Sequence, residues 1–185
     1  LSPEALPAAL EANPKTDRVL RDDAGTDAAL AALHTEVQAD YVWPYHQHAS
    51  IGPSCAVAEV KDGRAQVWSG TQNPHDLRKD IATLLELPPE QVHITRMEAS
   101  GCYGRNCADD VAADAALLSR AVGVPVRVQL TREQESAWEP KGAAQLMRVR
   151  GGLTADGAPA AYDFATSYPS NGAPTLALLL TGTVP

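Results

Sequence analysis

Apolar positions change their spacing several times along the chain, and each change marks an element. Between Thr26 and Leu33, alanines accompany Leu30 and Leu33, giving a helical edge for which Thr26 is the expected N-cap and into whose pattern His34 also falls. Val37 to Trp43, Cys55 to Lys61 and Gln66 to Ser69 instead alternate apolar and polar residues, the period of a strand. The last two flank KDGR, whose Asp-Gly pair favours a tight hairpin turn. Asn73, Pro74 and Asp76 open a helix with Leu77, Ile81 and Leu84 on one face, and Pro88 and Pro89 stop it. Val92 to Met97, which holds His93, reads as a strand. A helix from about Asp109 to Val122 follows, with Val111, Ala115, Leu118 and Val122 as its apolar face and Gly123 as its stop. VPVRVQL is an alternating β-branched strand leading into TREQE, read as a charged turn. Gln145 to Thr154 and Ala158 to Ser167 form a second hairpin across ADGA, and after Pro169 the pattern decays.

Helices and antiparallel hairpins around one strand-loop-helix-strand unit predict an α+β domain of mixed α/β layers. Prolines 3, 7 and 14 with the charged DRVLRDDAG stretch predict a short helical turn and then a linker over 1–25. The folded domain is expected over 26–168, with 169–185 as a tail leading toward a further domain. A length of 185 residues at 44% hydrophobic content suffices for a buried core. The net charge of -8, from 23 acidic and 15 basic residues, comes without a basic stripe and argues against a nucleic-acid partner. The longest apolar run, Leu176 to Leu180, is far below the roughly 18 to 20 residues that span a bilayer. Because the chain opens at Leu1 without a methionine, it is expected to be one part of a longer protein.

The densest chemistry lies in SGCYGRNCADD, residues 100 to 110. Cys102 and Cys107 stand four residues apart and His46 and His48 one apart, which departs from the paired C-x2-C spacing of zinc sites. Three cysteines in all are too few for a disulfide framework, and packing residues account for them better than metal ligands do. Cys107, at the mouth of a helix, is a candidate nucleophile if its thiol is acidic. A backbone cradle is better motivated. Gly101 and Gly104 bracket Cys102 and Tyr103 between a strand and a helix, where N–H groups can approach an anionic ligand and Arg105 can add a charged contact. Asp109 and Asp110 place such a ligand over the loop rather than over the helix end. A structural tight turn would use the same glycines.

Three stretches taken together, YVWPYHQHASIGPSCAVAEV, VWSGTQNPHDLRKDIATLLELPPEQVHI and SGCYGRNCADDVAADAALLSRAVGVPVRVQLTREQE, resemble the molybdenum-binding large subunit of the xanthine dehydrogenase and aldehyde oxidase family. The likeness runs from about Thr26 to about Ser167 and is nearest to the isoquinoline 1-oxidoreductase and nicotinate dehydrogenase branch. It implies that the glycine-rich loop lies against a molybdopterin cofactor, with Gly101, Cys102, Tyr103, Gly104 and Arg105 as the cofactor-binding positions. Tyr103 and Gly104 match the family's aromatic-glycine pair, and Cys102 stands where many members carry glycine. His48 matches a histidine beside the molybdenum, Gly52 replaces a glutamate that usually follows it, and His46 stands where purine-oxidising members place a glutamine. Gln72, in the strand-to-helix turn SGTQNP, is expected to be structural. The resemblance further implies hydroxylation of an N-heterocycle or aldehyde with water as oxygen source. It implies the remainder of the large subunit and an iron-sulfur small subunit as partners, with the glutamate base beyond these 185 residues. The chain alone is therefore expected to be inactive. The alternative is a scaffold domain that keeps the fold and has lost the cofactor.

Overall fold

The computed structural model describes residues 2–169 and 175–184. Its elements run α1 (Leu6–Ala12), α2 (Thr26–Ala31), β1 (Thr35–Trp43), β2 (Cys55–Lys61), β3 (Arg64–Ser69), α3 (Pro74–Leu85), β4 (Val92–Arg96), α4 (Ala108–Val122), β5 (Val126–Gln129), α5 (Arg132–Trp138), β6 (Gln145–Leu153), β7 (Pro159–Ser167) and α6 (Leu176–Leu180). The backbone divides into two compact units, Leu1–His46 with Ala143–Ser170, and Gln47–Gly142 with Asn171–Pro185. Helices beside antiparallel and mixed sheets make the predicted α+β class.

In the unit that begins at Gln47, the sheet order is β4-β3-β2-β5. The β2–β3 hairpin turns at Asp62 and Gly63, whose φ values of 50° and 73° are those the Asp-Gly pair supplies. β3 pairs in parallel with β4, and α3 makes the crossover between them. One face of this sheet is apolar because Ala56, Ala58, Ala65 and Val67 alternate inward. Leu77 and Ile81 of α3, 1% and 0% exposed, pack into it with Val111, Ala112 and Ala115 of α4. Complete burial of Leu77 or Ile81 stabilises the fold by roughly 2 kcal/mol each.

The other unit is a three-stranded antiparallel sheet in the order β1-β6-β7. Leu6 and Leu10 of α1 pack on Ala144 and Leu146. Arg148 and Arg150 reach Glu11 of α1 and Asp27 of α2 at 2.9 Å each. These contacts place the helices on the face that carries the even-numbered residues of β6.

Four expectations are corrected. Thr26 is the first residue of α2 and not its cap; Gly25 caps it, and the Thr26 hydroxyl donates to Asp23 O at 2.8 Å. His34 lies in a bend past the end of α2, not in a helix. On α4 the face departs from the expected one after Ala115: Leu118 and Val122 are 48% and 58% exposed, while Ala112, Ala116 and Ser119 are buried. Small side chains at those positions let α4 approach the sheet closely, and Ser119 accepts from Val60 N while donating to Val124 O. TREQE is not a turn but the start of α5, closed by a capping box in which Thr131 and Gln134 bond each other's backbone N–H. A short helix, α6, also forms where the apolar pattern decays.

Candidate functional site

The loop between β4 and α4 takes a strand to a helix through alternating left-handed residues: Gly101 at φ 97°, Tyr103 at 54° and Gly104 at 132°. Ala49, in the neighbouring loop, has φ 52°. Among the described residues the other left-handed non-glycines, Asp62 and Glu86, sit in the hairpin turn and at the end of α3, where such φ is routine. Strain at Tyr103 and Ala49 therefore falls on the two loops that the sequence marked for chemistry.

Contacts with the surroundings hold this shape. Asn106, 4% exposed, donates to Gly101 O at 3.3 Å and accepts from Ala108 N at 3.0 Å, so one amide joins the start of the loop to the start of α4. The Gln72 side-chain amide and the Cys102 thiol both donate to Gly104 O. The imidazole of His48 lies against Gly104 so closely that a Cβ there would collide with the ring at Cδ2 and Nε2. Ser100 Oγ accepts from Gly52 N at 2.8 Å and donates to Gly52 O at 3.0 Å. A Cβ on Gly52 would sit 2.7 Å from that oxygen, so Ser100 occupies the space a glutamate at 52 would need.

Behind these loops, α5 grips the segment from His48 to Ser54 with side chains spaced along one face. Arg132 donates to Ser50 O at 2.8 Å and to Ile51 O at 2.5 Å. Glu135, 0% exposed, accepts from Ser54 N at 2.8 Å, Ser54 Oγ at 3.0 Å and Cys107 N at 3.3 Å, and so fastens both loops at once. Glu139, the cap residue after α5, accepts from the N–H groups of His48 and Ala49. Neither carboxylate was singled out from sequence; the T-x-x-Q capping box could have marked the start of α5, but not the burial of Glu135 and Glu139.

An open cavity of about 440 Å³ faces the loop, lined by Gly70, Gln72, Arg96 to Ala99 and Gly101 to Tyr103. A second, of about 520 Å³, on the outer side of the sheet at Glu59, Lys61, Arg64 and His93, shares no residue with it. Asp109 and Asp110, in the first turn of α4, are raised above the ordinary carboxylate range by burial, with Arg105 pulling both back down. Asp110 also accepts from Leu176 N at 2.8 Å. Cys107 cannot serve as an activated nucleophile: burial, with the Glu135 carboxylate next in effect, pushes its thiol up to about 12. Its Sγ and that of Cys102 are free thiols, and no cluster of metal-ligating side chains forms among the described residues.

Of the predicted site residues, Gly101 to Arg105 and His48 come together in one unit with Gln72 and Ser100. His46 belongs to the other unit, where its ring lies 4.7 Å from that of Trp43. The residues suit an extended polar cofactor. Glycines and Ala99 share the cavity lining with Gln72, Arg96, Glu98 and Tyr103, so polar groups of both signs face it, and His48 Nδ1 is buried without a hydrogen-bond partner among the described residues.

Fold and loop together define an α+β domain with a left-handed glycine loop beside an open cavity. The family model described as molybdopterin cofactor-binding domain matches residues 11–178, and the chain belongs to that family, whose cofactor is molybdopterin. It is 63% identical over 176 residues to one of the subunits of nicotinate dehydrogenase from Pseudomonas putida, a match that covers 95% of this chain and 15% of that protein. It is 30% identical over 132 residues to the nicotinate dehydrogenase large molybdopterin subunit of Eubacterium barkeri, covering 71% of this chain and 31% of that protein. Among solved structures, CO dehydrogenase from Oligotropha carboxidovorans shares the fold with a TM-score of 0.68 at 21% identity, over 78% of this chain and 18% of that one.

Proposed function

We propose that this chain is the first cofactor-facing part of the large subunit of a molybdenum hydroxylase that oxidises a small N-heterocyclic acid of the nicotinate type. The observation that carries this reading is the left-handed Gly101–Gly104 loop, held by His48, Gln72 and Asn106 at the edge of an open polar cavity. The 63% identity to a nicotinate dehydrogenase subunit supports the substrate class over aldehydes.

In this reading the main chain of Gly101 to Arg105 and the side chain of Gln72 hold the molybdopterin, with Arg96 the cation and Glu98 the acid that line the same cavity. When bound, the cofactor supplies the metal centre for hydroxylation with water as oxygen source. His48 backs the loop, and its imidazole Nδ1 has no hydrogen-bond partner among the described residues. Glu135 and Glu139 fix the distance between the two loops, so that His48 and Gly104 stay in register. The glutamate base and the remaining cofactor loops belong to the rest of the large subunit and the iron-sulfur centres to a partner subunit, so these residues alone are not expected to turn over.

The test is the molybdenum and pterin content of the protein purified with its natural neighbours. One cofactor per polypeptide, lost in a folded Gly104→Val variant, supports the reading. A folded wild-type protein without molybdenum overturns it and favours the scaffold alternative.

A further inference from the structure

We propose that the segment from Thr175 through α6 is a proton-tightened latch, which docks more firmly on α3 and α4 as the pH falls because a carboxylate beneath it takes up a proton when it closes. Its apolar side is ordinary packing. Ala177 and Leu178, 7% and 2% exposed, seat on Leu84 of α3 and Ala113 of α4. Its start is held by acids instead. Asp80 of α3 accepts from Thr175 N at 3.2 Å, and Asp110 of α4 accepts from Leu176 N at 2.8 Å, so each helix gives one carboxylate to one main-chain donor of the segment.

Those two N–H groups do not satisfy the place where they bind. Asp110 Oδ2, Asp109 Oδ1 and the hydroxyl of Thr175, a residue 1% exposed, are buried without a hydrogen-bond partner. An ionised carboxylate with one oxygen stripped of water is costly, and protonation removes the charge that makes it so. The charged groups facing Asp110 are Asp109 beside it, Asp114 one turn along α4, Arg105 of the loop and Glu135 of α5, while Asp80 of α3 acts on Asp109. Acids outnumber the arginine, and residues 175–184 carry no titratable side chain to answer them. A proton from solvent is the counter-charge.

The sign follows from burial. Thr175 and Leu176 close over Asp110, and burial there outweighs both the Leu176 N–H and the Arg105 charge, which holds the carboxyl above its ordinary range. With the segment lifted, the carboxyl is wet and returns toward its ordinary value of about 3.9. At neutral pH both forms are ionised and the latch is weakest. As pH falls through the raised value, the closed form takes a proton while the open form stays ionised. Closing therefore strengthens, by at most about tenfold per pH unit for one proton. Below about 3.9 both forms are protonated and the gain is complete. Protonated Asp110 keeps Oδ1 as the acceptor for Leu176 N, so the bond survives the change.

The experiment is hydrogen exchange read by mass spectrometry on the full-length protein between about pH 7.5 and about pH 4.5, each rate divided by that of the unstructured peptide at the same pH. Wild type, Asp110→Asn and Asp110→Ala are compared. Protection of peptides within 175–184 should rise roughly three- to thirtyfold toward acid, while peptides of β2 and β3 stay level. Asp110→Asn, which mimics the protonated acid, should keep the acid-level protection across the whole range, and Asp110→Ala should lose it at every pH. The wild-type profile decides even where a variant does not fold. Protection that is flat or falls toward acid overturns the latch, as does Asp110→Asn exchanging like Asp110→Ala. So does protection near pH 7.5 that added calcium raises about as far as acid does, since the counter-charge is then a metal cation and not a proton.

Discussion

Replacing Glu135 by alanine tests the clamp on both loops. The carboxylate is 0% exposed and receives Ser54 N, Ser54 Oγ and Cys107 N at 2.8, 3.0 and 3.3 Å. The Ser54 hydroxyl can rotate toward another acceptor, but the two backbone donors cannot, and both residues are buried. A buried donor left without a partner costs about 1–3 kcal/mol, and the vacated volume adds to that. Removing a buried charge returns part of the loss. The expected net destabilisation is about 3–4 kcal/mol, which for a domain of this size lowers Tm by roughly 6–15 °C. Glu135→Gln keeps one acceptor oxygen and should lose about half as much. Thermal unfolding followed by circular dichroism gives the magnitude, and hydrogen exchange at the Ser54 and Cys107 amides locates it. A Tm drop under about 2 °C for Glu135→Ala, with those two amides exchanging as in the wild type, would refute the clamp.

Gly104→Ala should destabilise the loop by about 1–3 kcal/mol, since φ 132° is unfavourable for alanine and its Cβ must push the His48 ring aside; a His48 ring signal unchanged in NMR would contradict this. Cys107 should resist iodoacetamide at pH 8 in the native protein more strongly than the half-buried Cys55 and Cys102, with rapid modification only after denaturant is added. The same raised thiol predicts a pH dependence. Below about 8.5 both states keep the proton, and between there and about 12 only the unfolded thiol ionises, so its contribution to stability falls as pH rises through that window. Cys107→Ser should abolish this part of the alkaline slope. Thr131→Ala removes the capping box of α5 and should cost about 1 kcal/mol, read as a shift in the denaturation midpoint.

Where one local rule decides the structure, the sequence was informative. Asp62-Gly63 set the hairpin, Pro74 the start of α3 and Gly123 the end of α4, each through a backbone preference carried by a single residue. The glycine loop was legible for the same reason, because only backbone freedom explains Gly101 and Gly104 around an aromatic residue. The buried face of α4 was not, since the helix seats on alanines and Ser119 and leaves Leu118 in solvent. Hydrophobicity ranks those residues in the opposite order; closeness of approach to the sheet decided. Glu135 and Glu139 were invisible for a related reason. A charged run normally reads as a solvated face, and only tertiary structure shows that 0% and 3% exposed carboxylates answer backbone N–H groups more than eighty residues upstream.

The two departures from the family pattern then take on a common physical sense. Gly52, where a glutamate is usual, leaves room for the Ser100 hydroxyl to bond both the N–H and the carbonyl of residue 52. Cys102, where glycine is usual, turns its thiol onto Gly104 O, the same oxygen that Gln72 engages. Each substitution replaces one side chain's reach or freedom with a contact inside the loop pair. Together with the Glu135 bonds to Ser54 and Cys107, they tie segments some fifty residues apart into one unit whose shape does not depend on a ligand to supply the links. On the proposed reading, a loop already left-handed at Tyr103 and backed by His48 is shaped before any cofactor arrives. Preorganisation of this kind lowers the ordering cost of binding, so the proposed site would need few new side-chain contacts to hold its ligand.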